Sequence, residues 1–411
     1  MPWTRLKDAA GLGEDSTAGH TMPPYGGAPL DKFSSTCFYF GAGLIAGGMG
    51  VPIGLVHTAW GGSMIEQWLT NDAIAECYGS SIDDHNENLY DSAVKPYVNM
   101  SIKGFVYYQG ENNAHGLHGN IGAGEQPASG YACMMPKLIE LWRREWSRSV
   151  NTTDPTAPFG IVSLSSHDSE GAADMGSFRW AQQGSYGTLP NKAMPNTFMA
   201  HAFDLQDPWS GNTGTCEAKP LKGYDCHTPW YMGPGIHPRL KKPVGQRLAL
   251  GAMAAIGHLT KGARGGVIRG CALSSSALTL MFDTDGRELT VRRYNRSNPT
   301  LSATRVLVNA TEWMPVHVSA GTAPGTVVLD ISTLPAKPIA VRYAWGGEEP
   351  NGKDTTCCEG DGTNAPCVPA QCPLLAMEAL APFGALPVDP FIAEITSAGK
   401  CVCPEPQQCG A

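Results

Sequence analysis

Two patterns of apolar and polar positions alternate along roughly the first 260 residues of the chain. Short apolar runs are typical of buried strands, whereas apolar positions that recur every three or four residues are typical of helices. Alternation of the two predicts a parallel sheet with helices on both faces, which is an α/β/α arrangement of three layers. The predicted strands are 51–60, 104–111, 159–166 and 196–205.

Helical patterns fill the intervals between these strands. Ser63 and Glu66 form a capping-box pattern at the start of one of them. The last helix follows His237, with Pro243 suited to its first turn and Gly257 suited to its end. The other predicted helices are 33–48, 63–77 and 131–146.

The pattern of apolar and polar positions changes near residue 266. From there it predicts short alternating strands with Asp-Gly and Gly-rich turns. This pattern predicts a second, β-rich domain. We expect the cysteine-rich tail to return and pack against the main body. The predicted organisation is an irregular segment at 1–32, an α/β domain at 33–262, a β-rich accessory domain at 266–346 and a disulfide-rich tail at 347–411.

Composition and charge narrow the class of protein. Of the 411 residues, 42% are hydrophobic and 16% are charged, which suits a well-buried globular core. The net charge is −8 and there is no basic run, so nucleic acid is not an expected partner. No stretch approaches the roughly 20 apolar residues of a membrane span. Metal-binding, Walker and dinucleotide-binding motifs are absent from the sequence, and no cofactor is expected.

Cysteine usage indicates an oxidising compartment. The chain has 13 cysteines, and those of the C-terminal end lie too close together and too irregularly for paired zinc-ribbon spacings. Four N-glycosylation sequons agree with export, so we expect a secreted or lysosomal protein. No signal peptide is visible after Met1. The crowded cysteines are Cys357, Cys358, Cys367, Cys372, Cys401, Cys403 and Cys409.

Polar and glycine-rich groups follow each predicted strand. In a parallel sheet, ligands bind beyond the carboxyl ends of the strands, so we expect these groups to share one rim. Each group also has a structural alternative: the glycines as a tight turn, the polar residues as strand caps, and the histidine as a buried core residue. The groups are Trp60, Gly61 and Gly62 after the first strand, Gln109, Glu111 and Asn112 after the second, Asp204 and Asp207 after the fourth, and His237 before the closing helix.

A hydrolase that used His237 as its general base would also need a nucleophile. The sequence contains no G-x-S-x-G motif, and Ser63 lies at a predicted helix cap. The predicted rim therefore contains a candidate general base and candidate oxyanion donors, but no evident nucleophile.

Six motifs, in order and at similar spacing, resemble the sialate O-acetylesterase family. They are "VPIGLVHTAWGGSMIEQW", "GFVYYQGENN", "YACMMPKLIELW", "MPNTFMAHAFDL", "GIHPRLKKPVGQRLALGA" and "VRYAW". The resemblance implies an SGNH-type hydrolase with a β accessory domain, which removes acetyl esters from sialic acid with a serine nucleophile.

Motif by motif, the resemblance also implies roles for individual residues. His237 matches the catalytic histidine, and the tryptophan–glycine–glycine block matches Trp60, Gly61 and Gly62. Gly61, Gly62 and Gln109 are the expected oxyanion donors. The expected substrate-binding residues are Trp60, Glu111, Asn112 and Arg179.

Two departures from the family pattern affect this interpretation. The family's Gly-Gln-Ser-Asn-Met motif is absent, so we expect that the nucleophile was encoded ahead of the present Met1. Pro234 and Gly235 stand where many relatives carry the aspartate that orients the histidine, and Asp207, Asp204 or Asp225 are the alternatives. An esterase of another acetylated glycan, such as xylan, and a non-catalytic glycan-binding protein remain open.

Overall fold

A computed structural model describes ten segments of the chain. Asp207, Asp225 and the predicted N-terminal segment 1–32 lie outside them. The described residues are 33–78, 88–114, 130–150, 153–165, 175–205, 237–238, 240–292, 303–345, 374–377 and 383–403.

The α/β part is built on a three-stranded parallel sheet with the strand order β1-β2-β3. Phe105 of β1 pairs with Phe159 of β2, which pairs with Thr197 of β3. Every residue of β2 is buried, because helices cover both faces of the sheet. The predicted parallel sheet is confirmed, although its strands are shorter than the apolar runs. They are β1 Phe105–Tyr107, β2 Phe159–Ser163 and β3 Thr197–His201.

Helices form the two outer layers. The apolar side of α4 covers one face of the sheet, where Trp142 packs against Phe105 and Phe159. α6 covers the other face, and α1 packs on α6 at Gly245, where a Cβ atom would lie 2.6 Å from the backbone nitrogen of Phe40. The helices are α1 Ser35–Ala46, α2 Asn71–Tyr78, α3 Glu111–Ala114, α4 Gly130–Val150, α5 Met175–Ala181 and α6 Lys241–Ala255.

The strand predicted at 51–60 is not formed. This segment is irregular, and Val51, Val56 and Trp60 are exposed. An apolar run becomes a strand only when a neighbouring strand accepts and donates its backbone hydrogen bonds, and none of the described strands pairs with it. The prediction was wrong because periodicity does not show whether a partner is present.

The helix predicted at 63–77 is divided into a 3₁₀ turn, Ile65–Trp68, and α2. The capping pair lies one residue later than predicted, since the backbone N–H of Met64 donates to Gln67 Oε1 at 2.8 Å. Ser63 is instead held by the indole of Trp68, whose Nε1 donates to Ser63 Oγ at 3.0 Å.

Antiparallel sheets form the β-rich part. One has the order β4-β5-β10-β9, a second β15-β14-β11-β7-β8 and a third β13-β12-β6. Leu280, Val327 and Val341 are fully buried in one apolar cluster shared by the first two sheets. The strands are β4 Val267–Leu273, β5 Ala277–Asp283, β6 Glu288–Val291, β7 Thr304–Leu307, β8 Trp313–Pro315, β9 His317–Ala320, β10 Thr326–Asp330, β11 Ala340–Tyr343, β12 Leu374–Met377, β13 Leu386–Pro387, β14 Phe391–Ile395 and β15 Cys401–Val402.

The end of the chain returns to the β-rich part. β14 pairs antiparallel with β11, and Cys401 is disulfide-bonded to Cys271 of β4. A second disulfide joins Cys77 to Cys133. Cys37 is a free buried thiol, and burial raises its pKa to about 11. The expected disulfides near the C-terminus are confirmed for Cys401. None of the described helices is long and apolar enough to cross a membrane.

Gly176 of α5 marks the contact between the α/β part and the β-rich part. Its backbone N–H donates to the carbonyl oxygen of Trp345 at 2.7 Å, and an added Cβ would lie 2.6 Å from that oxygen. Replacing Gly176 by alanine is expected to lower the free energy of unfolding by about 1–3 kcal/mol. The backbone oxygen of Trp345 cannot move away from the added methyl group as the end of a flexible side chain could.

Urea denaturation measures this effect, with Gly50→Ala as the control because a Cβ at Gly50 meets no atom within 4 Å. Equal midpoints for the two variants would show that the contact adjusts without cost.

Candidate active site

A large cavity opens beside the edge strand β1. Its volume is about 1250 Å³, which exceeds the roughly 300–1,000 Å³ of ordinary ligand pockets. The irregular segment 51–63 forms one wall, and β1 with its flanking residues forms the opposite wall. The described parts of the α/β fold therefore leave more space here than a small ligand needs.

Most of the sequence-predicted site residues meet at one end of this cavity. They lie in the loops after segment 51–60, after β1 and before α6, which is the rim expected for a parallel sheet. The residues that line the cavity are Trp60, Gly61, Gly62, Gln109, Glu111, Asn112 and His237.

His237 faces the carboxylate of Glu111. Its Nδ1 lies 3.8 Å from Glu111 Oε1, and the exposed fractions of the two side chains are 49% and 19%. This separation is longer than a hydrogen bond, yet such catalytic contacts are often long in ligand-free structures. A carboxylate at Nδ1 leaves Nε2 to take a proton from a nucleophile.

The two glycines adopt a turn that a side chain of Asn112 secures. Gly62 has a φ of +75°, which favours glycine, and its carbonyl oxygen accepts from Asn112 Nδ2 at 2.5 Å. Gly61 and Gly62 are both exposed towards the cavity. Backbone N–H groups on an exposed turn are suited to meet a developing negative charge.

Gln109 holds the loops together. Its Nε2 donates to the carbonyl oxygen of Ser63 at 2.9 Å and to Asn113 Oδ1 at 2.8 Å. Its Oε1 accepts from the hydroxyl of Tyr131 at 3.0 Å. Because an amide has only two N–H donors and both are used, this geometry does not support the expected oxyanion role of Gln109.

Asn113 and Glu66 complete this network, and sequence analysis did not identify them as site residues. Asn113 Oδ1 accepts from the backbone N–H of Ile65 at 3.0 Å, and its Nδ2 donates to Glu66 Oε2 at 2.9 Å. Both side chains are buried. The only signal was the polar run "QGENN", which ends at Asn113. These contacts fix the glycine turn relative to Glu111.

Two predicted site residues are buried in the fold and do not line the cavity. Arg179 is fully buried and donates to the carbonyl oxygens of Leu164 and Ala344 at 2.9 and 3.1 Å. Asp204 is fully buried in an ion pair with Arg247. Neither lines the cavity, so the positions of Arg179 and Asp204 do not support contact with substrate or with His237.

A second serine–histidine–aspartate arrangement lies in the core. Ser163 Oγ is 3.0 Å from His201 Nδ1, and His201 Nε2 is 2.9 Å from Asp389 Oδ1. Ser163 is fully buried and also accepts from the backbone N–H of Ala202. Because Ser163 is fully buried, its hydroxyl is not accessible to a substrate, and the arrangement links β3 to the returning tail.

Structural comparison finds a solved protein with the same fold. The chain matches the crystal structure of a carbohydrate acetylesterase from Xanthomonas citri with a TM-score of 0.59 and 24% sequence identity. The match covers 89% of this chain and 66% of that one. The expected α/β/α fold with added antiparallel sheets is therefore confirmed, since that structure has the same fold.

Sequence comparison then finds similar proteins. Residues 32–210 match the family model "Carbohydrate esterase, sialic acid-specific acetylesterase". Sialate O-acetylesterase of Homo sapiens is 31% identical over 380 residues, which are 89% of this chain and 62% of that protein. The Mus musculus protein is 29% identical over 408 residues, which are 89% and 64%. The chain thus spans less than two thirds of these relatives, and its residues 32–210 are similar to the acetylesterase family.

Proposed function

We propose that this protein hydrolyses O-acetyl esters of sialic acids. The observation that carries the proposal is the meeting of His237, Glu111 and the Gly61–Gly62 turn at one end of the cavity. Glu111 and the glycine turn lie within residues 32–210, the part of the chain that matches the sialic acid-specific family. The relatives that bear the name sialate O-acetylesterase support this choice of substrate.

In the proposed reaction, a serine hydroxyl attacks the acetyl carbonyl carbon and His237 takes its proton. Glu111 keeps the imidazole in the required orientation, a role for which the sequence had suggested Asp204, Asp207 or Asp225. The backbone N–H groups of Gly61 and Gly62 stabilise the oxyanion, and each such donor typically contributes about 10²–10³ in rate. His237 then gives this proton to the sugar oxygen as its bond to the acetyl carbon breaks, which leaves an acetyl-serine. Water, deprotonated by His237, attacks the acetyl-serine and releases acetate and the free serine.

The serine that follows the glycine turn in the cavity, Ser63, is not placed to be this nucleophile. Ser63 is buried, and its hydroxyl accepts from the Trp68 indole. We propose that the space between segment 51–60 and β1 accommodates a strand that carries the serine. Two features support this: the cavity is larger than a ligand pocket, and none of the described strands pairs with the apolar segment 51–60 beside it.

A fluorophosphonate probe tests the position of the nucleophile, because it labels activated serines. We expect the labelled serine to be a residue other than Ser63, in a strand that enters the space beside β1. Labelling of Ser63 in the chain itself, identified by peptide mass spectrometry, would contradict the proposal.

The substrate is tested by acetate release from an O-acetylated sialic acid and from acetylated xylo-oligosaccharides. Faster release from the sialic acid supports the proposal. Faster release from xylan fragments would instead favour an esterase of neutral glycans, which the named activity of the structural neighbour keeps open. Binding of both glycans without release, in a form that contains a labelled serine, would favour a glycan-binding protein. We propose a secreted or lysosomal location, supported by the disulfides Cys77–Cys133 and Cys271–Cys401.

A further inference from the structure

Lys241 provides a positive charge at the reactive end of the cavity. Among the described residues that line it, the cationic lysines and arginines are Lys103 and Lys241. Lys103 precedes β1, whereas Lys241 lies beside Tyr108, which follows β1. At about 3.3 Å per residue along a strand, the two lysines are separated by on the order of 15 Å. Lys241 is therefore the one at the His237 end.

Two contacts with Tyr108 hold the ammonium group in place. Lys241 Nζ lies 4.8 Å from the centre of the Tyr108 ring, and it donates to the Tyr108 hydroxyl at 3.4 Å. Burial, together with the nearby charge of Glu111, raises the pKa of Tyr108, so its hydroxyl stays neutral and accepts a hydrogen bond. A cation over an aromatic ring is attracted by the ring's negative face.

The local sequence places Lys241 close to the proposed chemistry. It is the first residue of α6 and lies four residues after His237. Tyr108 lies three residues before Glu111, in the segment that contacts His237 and Lys241. The pairs His237–Glu111 and Lys241–Tyr108 thus join the same two segments, and a sugar whose ester reaches His237 also comes near the ammonium group.

We infer that Lys241 recognises the carboxylate of an acidic acetylated sugar and so determines the preference of the site for acidic over neutral sugars. The inference rests on the proposed function and concerns how its substrate class is selected. Sialic acids carry a ring carboxylate that acetylated xylan lacks. A charge-assisted hydrogen bond from an ammonium group to a carboxylate is about twice as strong as a neutral one.

Binding measurements test this without requiring turnover. The probes are an O-acetylated N-acetylneuraminic acid and its neutral carboxamide, and saturation-transfer NMR gives the dissociation constant of each for the full chain. We expect the acid to bind about 10-fold more tightly than the amide. Lys241→Gln is expected to remove this preference by weakening only the acid, whereas Lys241→Arg keeps most of it. Lys242→Gln is the matched control, since Lys242 is the exposed neighbour.

Several outcomes would overturn the inference. Equal affinity of the unaltered protein for acid and amide would do so while leaving the proposed function intact. The same follows if Lys241→Gln retains the preference, or if Lys242→Gln loses as much of it as Lys241→Gln does, which would indicate a general effect of net charge. Absence of binding by both probes would count against the inference and the proposed function together.

Discussion

Replacing His237 by alanine is expected to lower the rate of acetate release by about 10²–10⁴-fold, the range typical of a general acid–base group. The reason is that the His237 imidazole faces Glu111, whose carboxylate stabilises the imidazolium that forms when Nε2 takes a proton from the nucleophile. The expected loss lies in kcat, because the imidazole acts mainly in the transition state.

The measurement is acetate release by the form of the protein that contains the labelled serine. His317→Ala is the matched control, since His317 is exposed on β9 of the accessory sheets. Glu111→Gln separates the two partners: it keeps the size of the side chain and removes the charge that would stabilise an imidazolium. We expect a smaller loss for Glu111→Gln than for His237→Ala. An unchanged rate in His237→Ala would remove the mechanism proposed here.

Replacing Arg247 by methionine is expected to lower the free energy of unfolding by about 3–5 kcal/mol, because it leaves a buried carboxylate without its counter-charge. Arg247 and Asp204 are almost completely buried, with Nη1 and Nη2 at 2.5 and 2.6 Å from the two carboxylate oxygens. Arg247 also donates to the carbonyl oxygen of His201. The pair therefore fixes α6 against the end of β3.

Chemical denaturation of the variant measures this loss. Lys95→Met is the control, because its ion pair with Asp91 is exposed and such pairs contribute little. The double variant Arg247→Met with Asp204→Leu is expected to recover part of the stability, since it removes both charges. If Arg247→Met were no less stable than Lys95→Met, Asp204 would not depend on its partner, and a functional role for Asp204 would need to be considered again.

The sequence by itself determined the elements whose pattern is local. The alternating runs after residue 266 became strands, and α6 ends where Gly257 adopts a positive φ. It also predicted that the loops after the strands would share a rim, because the topology of a parallel sheet places their carboxyl ends together. Residues in three separate segments, Trp60, Glu111 and His237, do line one cavity.

Only the tertiary structure decided which polar residues face that cavity. The sequence predicted three further site residues, Arg179, Asp204 and Gln109. In the structure, the polar atoms of each bind other groups of the protein. The prediction of a strand at 51–60 was wrong for a related reason. A strand needs a hydrogen-bonding partner, and none of the described strands pairs with this segment. Periodicity records which residues prefer burial, but a hydrogen bond or an ion pair depends on a second group whose position the local sequence does not encode.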